Sequence, residues 1–167
     1  SFFGKIRIGL EYALFRRGPM TIAAGHVGVF AKTRPELETP DVQFHIVPLS
    51  LTGVGKKLHD FAAFTASVCQ LRPESRGHVA IKSPNPDDPP GIHPNYLSTV
   101  MDQQTIVAGL KLSRKIMATP TMQALITEEF DPGPDVQSDA ELLEFARNTG
   151  STVYHPVSTC KMGGDAM

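Results

Sequence analysis

Residues 41–47 read Asp-Val-Gln-Phe-His-Ile-Val, and this stretch carries the clearest structural signal in the sequence. Val42, Phe44 and Ile46 occupy every second position. Because successive side chains of a strand point to opposite faces, a strand here directs these three residues to one face and His45 to the other. The pattern therefore predicts a strand with one apolar, buried face and one more polar face.

Shorter alternating segments lie on both sides of this strand and extend the predicted sheet. Apolar residues at every second position predict strands at residues 27–31, 61–71 and 78–82. Residues 84–91 include four prolines, which lack the N–H group that a strand donates, so this stretch is predicted to be a loop. Arg76 lies in a Ser-Arg-Gly turn, and we expect it to bond backbone carbonyls rather than an anion.

Three segments, at residues 2–15, 104–118 and 138–150, have the spacing of helices. The last begins with Ser138 three residues before Glu141, which is the pattern of a capping box. The apolar residues predicted to share a face are Phe3, Ile6, Leu10 and Leu14 in the first segment and Ile106, Leu110 and Met117 in the second. Beyond these helices, residues 152–156 are predicted to be extended.

The mixture of helices and strands decides the predicted fold class. Because the elements do not alternate regularly as strand, helix, strand, we predict an α+β fold in which helices flank an antiparallel or mixed sheet. Residues 1–167 are assigned to one domain, since this length fits a single hydrophobic core. Neither end closes a structural element, so we expect the chain to be a fragment of a longer protein.

Composition limits the classes of partner and compartment. The formal net charge is −1 and basic residues are not clustered, which argues against nucleic acid as the main partner. No run approaches the roughly 20 apolar residues that cross a bilayer, so no membrane segment is predicted. The chain contains only two cysteines, Cys69 and Cys160, which fits a reducing compartment. We predict a cytoplasmic protein, and peripheral membrane association of the parent stays open.

His155 is the strongest single candidate for chemistry. It precedes Pro156, which favours an extended backbone at the residue before it. Imidazole changes charge nearest to neutral pH and is therefore the commonest proton acceptor in enzymes. A structural histidine remains the alternative from local context alone.

Other familiar sites are poorly supported. The glycines of residues 51–57 lack the spacing of a phosphate-binding loop, and the chain has no G-x-G-x-x-G fingerprint for a dinucleotide. No Cys-x-x-Cys motif or closely spaced histidine pair indicates zinc. A thiol enzyme that uses His155 with Cys160 is a minor alternative, because an extended chain would hold the two side chains far apart.

Several separated blocks of sequence resemble one enzyme family. Residues 152–163 (TVYHPVSTCKMG), 72–79 (RPESRGHV) and 94–97 (PNYL) are similar to blocks of the glucose–methanol–choline (GMC) flavoprotein oxidoreductases. Residues 18–20 and 40–45 resemble segments at the start of that family's substrate-binding domain. Within the histidine motif, residues 159–162 (TCKM) are most similar to the corresponding residues of bacterial choline and aliphatic-alcohol dehydrogenases.

The resemblance implies an activity and a role for five residues. It implies oxidation of a choline-like or aliphatic alcohol to an aldehyde, with FAD as the hydride acceptor. His155 would be the catalytic base, and His155 and Pro156 would lie next to the flavin. His45, Val153 and Tyr154 would contact the substrate, although His45 and Tyr154 could equally be structural.

The resemblance also implies that part of the machinery lies elsewhere in the polypeptide. FAD would be bound mainly by another portion of the same protein, and the second catalytic residue would follow the last residue of this chain. We therefore expect the fragment alone to be inactive, with the alcohol and the FAD-binding portion as its partners. Ser158 departs from the family motif, which usually has glycine there. Two possibilities stay open, namely a homo-oligomer and a non-catalytic binding or structural module.

Overall fold

The structure is a computed structural model and describes residues 2–23, 25–51, 57–155 and 162–164. Pro156, Ser158 and Cys160 lie outside these ranges, so the predictions for them are not addressed. The helices and strands, in chain order, are α1 Phe2–Phe15, β1 Val27–Ala31, β2 Val42–Val47, β3 Thr65–Gln70, β4 His78–Ala80, β5 Gly91–His93, α2 Val100–Met117, α3 Pro120–Gln123 and α4 Asp139–Thr149.

The α+β prediction with antiparallel strands is confirmed. Strands β1, β2 and β3 form an antiparallel sheet with β2 in the centre, and β4 pairs with β5 in a second small sheet. Val42 and Phe44 of β2 are fully buried, as their alternation predicts, whereas Ile46, the third residue of the predicted apolar face, is half-buried. Strand β3 begins at Thr65 and β4 ends at Ala80, so both predicted strands were too long.

Helix α2 covers one face of the three-stranded sheet. At Gly109, a Cβ atom would lie only 2.8 Å from Cγ2 of Val68 in β3, so glycine allows the helix to approach the sheet closely. Helix α4 packs against α2 and contributes Leu142, which is fully buried. The described core therefore lies between the sheet, α2 and α4.

Helix α2 differs from its prediction at its start. It begins at Val100 rather than at residue 104, because Thr99 caps it by accepting a hydrogen bond from the backbone N–H of Asp102 (3.2 Å). The first turn contains a buried carboxylate, and its two apolar residues, Val100 and Met101, do not lie three or four residues before Ile106. The apolar periodicity that predicted the helix therefore missed its first four residues.

The fully buried positions of α2 are not the apolar residues that the pattern placed on one face. The buried positions include Thr105, Val107 and Gly109, whereas Ile106 and Leu110 are only partly buried. The sheet lies close to the small residue at position 109, so the helix turns this side rather than its longest apolar side chains toward the strands. The prediction of the helix is confirmed, and Ile106, Leu110 and Met117, which the pattern placed on one face, are each half-buried.

Helix α4 begins as predicted. The Ser138 hydroxyl accepts a hydrogen bond from the Glu141 N–H (3.3 Å), and Oε2 of Glu141 accepts one from the Ser138 N–H (2.8 Å). These bonds lower the pKa of the Glu141 carboxyl, because both Ser138 and the N–H of Gln137 donate to the charged form. The capping box is confirmed.

The loop before α4 is attached to α2 by one side chain. Nε of Arg114 donates to Oε1 of Glu129 (2.9 Å), and its terminal nitrogens donate to the carbonyls of Gly133 (3.0 Å) and Val136 (2.7 Å). Arg114 is part-buried, and its planar group holds three points of the loop at once.

The predicted extended segment at residues 152–156 is not regular. Its described residues form no strand, and Tyr154 has a positive φ of 58°. The Tyr154 N–H donates to the Thr152 hydroxyl (3.0 Å), and this local bond accompanies the bend. The prediction of a regular extended backbone up to His155 was wrong.

Candidate functional site

One face of the three-stranded sheet carries polar side chains and has no described helix on it. We call this the open face and define it by Phe30, Gln43, His45, Ser67 and Cys69, which share it by the register of the strands. Among the described helices, only α2 packs on this sheet, and it lies on the side of the buried β2 residues. The open face is therefore available to another part of the protein or to a ligand.

His45 lies in the middle of the open face. It is half-buried and pairs with Gly28 of β1 on one side and Ser67 of β3 on the other. Gly28 leaves open space beside the imidazole, since a Cβ atom there would have only the Phe44 carbonyl oxygen within 4 Å, at 3.9 Å. A ligand atom could therefore approach His45 from the β1 side.

Cys69 is the sulfur-bearing side chain of the open face. Burial raises the pKa of its thiol, and a hydrogen bond from the Gln43 backbone offsets part of this increase. Because a raised pKa keeps the thiol protonated at neutral pH, Cys69 is a poor nucleophile. The open face supplies hydrogen-bonding groups and a neutral thiol.

His155 and its two predecessors lie at the surface. Val153 and His155 are exposed, and the side chain of Tyr154 is 72% exposed. Within the described residues, no hydrogen bond or ring contact joins His155 to His45. The described structure thus leaves the imidazole of His155 accessible but does not assemble the predicted substrate-binding residues into one pocket.

The sequence analysis overlooked a buried carboxylate, that of Asp102. This side chain is 1% exposed and lies in the first turn of α2. Its Oδ1 accepts hydrogen bonds from the Glu74 N–H (2.8 Å) and from Nε2 of Gln70 (3.2 Å). Its Oδ2 accepts from the Ser75 N–H (2.8 Å) and from the Ser75 hydroxyl. Asp102 therefore connects α2, the end of β3 and the segment that follows β3.

The ionisation of Asp102 reflects these bonds. Burial by itself would raise the pKa of this carboxyl, but the hydrogen bonds from Ser75, Glu74 and Gln70 outweigh burial and lower it. The carboxylate is therefore charged at neutral pH and fully engaged by donors. A sequence signal for it existed, since Thr99 followed three residues later by an acidic residue is a capping pattern.

The turn around Arg76 is held as predicted. Nη1 of Arg76 donates to the carbonyls of Pro73 (2.9 Å) and Ser75 (3.0 Å). These bonds confirm the prediction that Arg76 stabilises the turn. The Ser75 hydroxyl also accepts from the N–H of Ser98 (3.0 Å). The side chain of Asn95 donates to the Arg76 carbonyl (3.0 Å). The two blocks at residues 72–79 and 94–97 are thus bonded to each other.

The part of the chain that the structure describes contains no group of three or more metal-binding side chains. Its described helices also include none long and apolar enough to cross a membrane.

Comparison with solved structures identifies the fold. The crystal structure of pyridoxine 4-oxidase from Mesorbium loti matches with a TM-score of 0.71 at 24% sequence identity. The match covers 83% of this chain and 28% of that one. The class is therefore an α+β domain of the kind that this oxidase contains.

Comparison of sequences identifies the family. The family model described as GMC oxidoreductase matches residues 73–167, more than half of the chain. The chain belongs to the GMC oxidoreductase family. It is 41% identical over 166 residues to an alcohol dehydrogenase [acceptor] of Pseudomonas putida, covering 99% of this chain and 30% of that protein. It is 38% identical over 159 residues to the mitochondrial choline dehydrogenase of Mus musculus, covering 95% of this chain and 27% of that protein.

A third relative agrees with these two. The oxygen-dependent choline dehydrogenase 1 of Chromohalobacter salexigens is 36% identical over 169 residues, covering all of this chain and 30% of that protein. The chain thus spans less than a third of the length of these relatives.

Proposed function

We propose that the chain is the substrate-binding part of an FAD-dependent enzyme that oxidises an alcohol to an aldehyde. The observation that carries the proposal is the location of His155. It belongs to the residues matched by the GMC oxidoreductase family, and its imidazole is exposed. Relatives named as alcohol and choline dehydrogenases match nearly the whole chain, which supports an alcohol as the substrate.

His155 is the proposed catalytic base. Loss of the alcohol proton during C–H cleavage requires an acceptor within hydrogen-bond distance of the hydroxyl oxygen. His155 has no hydrogen-bond partner among the described residues, so a lone pair of the neutral ring is available to a substrate. The imidazolium that forms then stabilises negative charge that develops on the substrate oxygen.

The open face is the proposed wall of the alcohol site. His45 is half-buried beside Gly28 and can offer its ring to a hydroxyl group. Val153 and Tyr154 are proposed to border the substrate next to the base. For this arrangement the segment that ends at His155 must lie opposite the open face in the complete protein.

FAD, when bound by the complete protein, would supply the acceptor for the hydride of the alcohol. His155 offers an accessible imidazole to such a group, and because the chain has no dinucleotide fingerprint, most contacts with FAD are proposed to come from another portion of the polypeptide. His155 and Pro156 are the proposed residues next to the cofactor. The fragment alone is expected to bind FAD weakly and to be inactive.

Replacement of His155 in the full-length parent tests the proposal. We expect His155→Ala to lower kcat/KM for alcohol oxidation by about 100-fold or more, as is typical for loss of a general base. Anaerobic mixing with alcohol, followed by flavin absorbance, measures the reductive step directly. A His155→Ala enzyme within about threefold of wild type would contradict the assignment.

The matched control is His78→Ala, because His78 is an exposed histidine whose ring stacks on that of His93 in the second sheet. This variant should keep the wild-type rate of flavin reduction. The same assay with choline and with primary aliphatic alcohols of increasing length identifies the substrate class. Failure of every alcohol to reduce the flavin of the folded parent would overturn the proposed reaction.

A further inference from the structure

The strands that form the open face contain no Asp, Glu, Lys or Arg. Their sequences are VGVFA in β1, VQFHIV in β2 and TASVCQ in β3. Two side chains that define the open face can ionise, His45 and Cys69. The thiol of Cys69 stays protonated at neutral pH because burial raises its pKa, and an imidazole that ionises becomes positive. These strands therefore present neutral polar groups or a positive charge to a ligand, and no negative charge.

The carboxylate next to β2 is already engaged. Asp41 directly precedes the strand and is 6% exposed. Its Oδ1 accepts a hydrogen bond from the Thr33 N–H (2.7 Å), and its Oδ2 accepts one from the Thr33 hydroxyl. Both oxygens therefore bind the segment that follows β1, and this carboxylate is not available to a ligand on the open face.

Phe30 is the one phenyl ring among the residues that define the open face. It lies in the edge strand β1, pairs with Gln43 and is 60% exposed. Proteins bind a quaternary ammonium group with several aromatic faces or with a carboxylate, which replace the water that the cation loses. A single exposed ring at the edge of the sheet does not enclose such a group.

The names of the relatives leave the charge of the alcohol open. The alcohol dehydrogenase [acceptor] and the mitochondrial choline dehydrogenase are 41% and 38% identical to this chain. We propose that the open face selects an uncharged alcohol over one that carries a quaternary ammonium group, and that Gln43 determines this preference. The inference rests on the proposed function, because it takes the open face as a wall of the alcohol site.

Gln43 lies close to the position that the rest of the alcohol would occupy. It precedes His45 by two residues in β2, so the two side chains leave the same face roughly 7 Å apart. Choline carries its cationic nitrogen only two carbons from the hydroxyl group. A hydroxyl group at His45 therefore keeps the cation near the neighbouring side chains of the face. The half-buried amide of Gln43 is neutral and does not compensate for the water that the cation loses.

Two alcohols of the same shape test the preference in the unaltered full-length parent. In tert-butylethanol, a tert-butyl group replaces the trimethylammonium group of choline, so the two alcohols differ in charge and hardly in size. We expect kcat/KM for anaerobic flavin reduction to be about tenfold or more higher with tert-butylethanol, because only choline must lose the hydration of a cation.

The variant Gln43→Glu tests the role of this residue. It replaces an amide with a carboxylate of nearly the same size, and we expect the ratio of kcat/KM for choline to that for tert-butylethanol to rise by about fivefold or more. Because the ratio is taken within one variant, a general loss of activity cancels. The matched control is Gln104→Glu, since Gln104 is an exposed residue of α2, which covers the other side of the sheet. This control should leave the ratio unchanged.

The outcomes separate this inference from the proposed function. A kcat/KM for choline above that for tert-butylethanol, or within about threefold of it, overturns the inference while alcohol oxidation itself stands. A ratio that Gln43→Glu changes by less than about twofold also overturns it. If no alcohol reduces the flavin, the proposed function fails and the inference fails with it. The comparison of the two alcohols needs no substitution and is decisive even if Gln43→Glu does not fold.

Discussion

Replacing Asp102 with asparagine should release the segment that follows β3 from helix α2. The carboxylate accepts two hydrogen bonds at each oxygen, and its donors include the backbone N–H groups of Glu74 and Ser75 at 2.8 Å each. An asparagine can keep its carbonyl oxygen toward Glu74 and Gln70. Its NH₂ group then faces the N–H and O–H of Ser75, so two accepting contacts are lost.

The size of the effect follows from the type of bond. A hydrogen bond to a charged group contributes about 1.5–3 kcal/mol, and a buried donor left without a partner costs about 1–3 kcal/mol. Because the Ser75 hydroxyl can rotate and recover part of one contact, we expect Asp102→Asn to weaken this connection by about 3 kcal/mol. That value corresponds to an increase of roughly 100-fold in the local opening equilibrium.

Native-state hydrogen exchange of the parent enzyme measures this opening directly. The amides of Glu74 and Ser75 should exchange roughly 100-fold faster in Asp102→Asn than in wild type. Asp139→Asn is the control, since this exposed carboxylate also lies in the first turn of a helix and pairs only with Lys111 at the surface. If Asp102→Asn changes the two exchange rates by less than about threefold, the hydrogen-bonding argument is refuted.

The pH dependence of the same connection has a definite sign. Because the folded state lowers the pKa of the Asp102 carboxyl, the unfolded state binds the proton more readily. The contribution of Asp102 to stability is therefore fully present above the ordinary aspartate pKa of about 3.9, and it is lost as the pH falls through the lower, folded-state pKa. Exchange at residues 74 and 75, corrected for intrinsic rates, should show constant protection from pH 5 to 8 and a loss in strong acid.

Three further substitutions or labelling experiments test the packing. Gly109→Ala should lower the stability of the parent by about 1 kcal/mol, because the clash with Val68 outweighs the helix propensity that alanine adds. The measurement is the thermal midpoint, and an unchanged or higher midpoint would contradict this prediction. Arg114→Lys should destabilise the loop at Glu129 by about 1–2 kcal/mol and speed its proteolysis, since lysine cannot reproduce the hydrogen bonds of the planar guanidinium group. Resistance to proteolysis equal to that of the wild type would disprove this prediction. Cys69 should react with iodoacetamide more slowly in the folded parent than in urea, because burial raises the pKa of its thiol, and equal rates would refute the burial argument.

Local sequence patterns were sufficient for several elements. The alternation around Phe44 predicted β2 and its buried face, and Ser138 with Glu141 predicted the start of α4. The proline-rich stretch at residues 84–91 was correctly expected to be largely loop, although Gly91 already belongs to β5. Each of these signals depends on residues a few positions apart, so neighbours along the chain decide the outcome.

Other features depend on contacts between residues distant in sequence. The capping signal at Thr99 was overlooked because the first turn of α2 has no apolar periodicity, and its Asp102 is buried only because residues 70–75 return to donate to it. The proposed pairing of His155 with the open face around His45 likewise remains a prediction, because no described contact joins them.

The amino-acid sequence alone predicted most of the helices and strands, an antiparallel or mixed sheet and the family resemblance of the histidine motif, since these follow from periodicity and from short motifs. Only the tertiary structure decided which side of α2 meets the sheet, which carboxylate is buried and which sheet face stays open. The physical reason is that burial results from the close approach of distant segments, as at Gly109 and Val68, and no spacing within one segment encodes that approach.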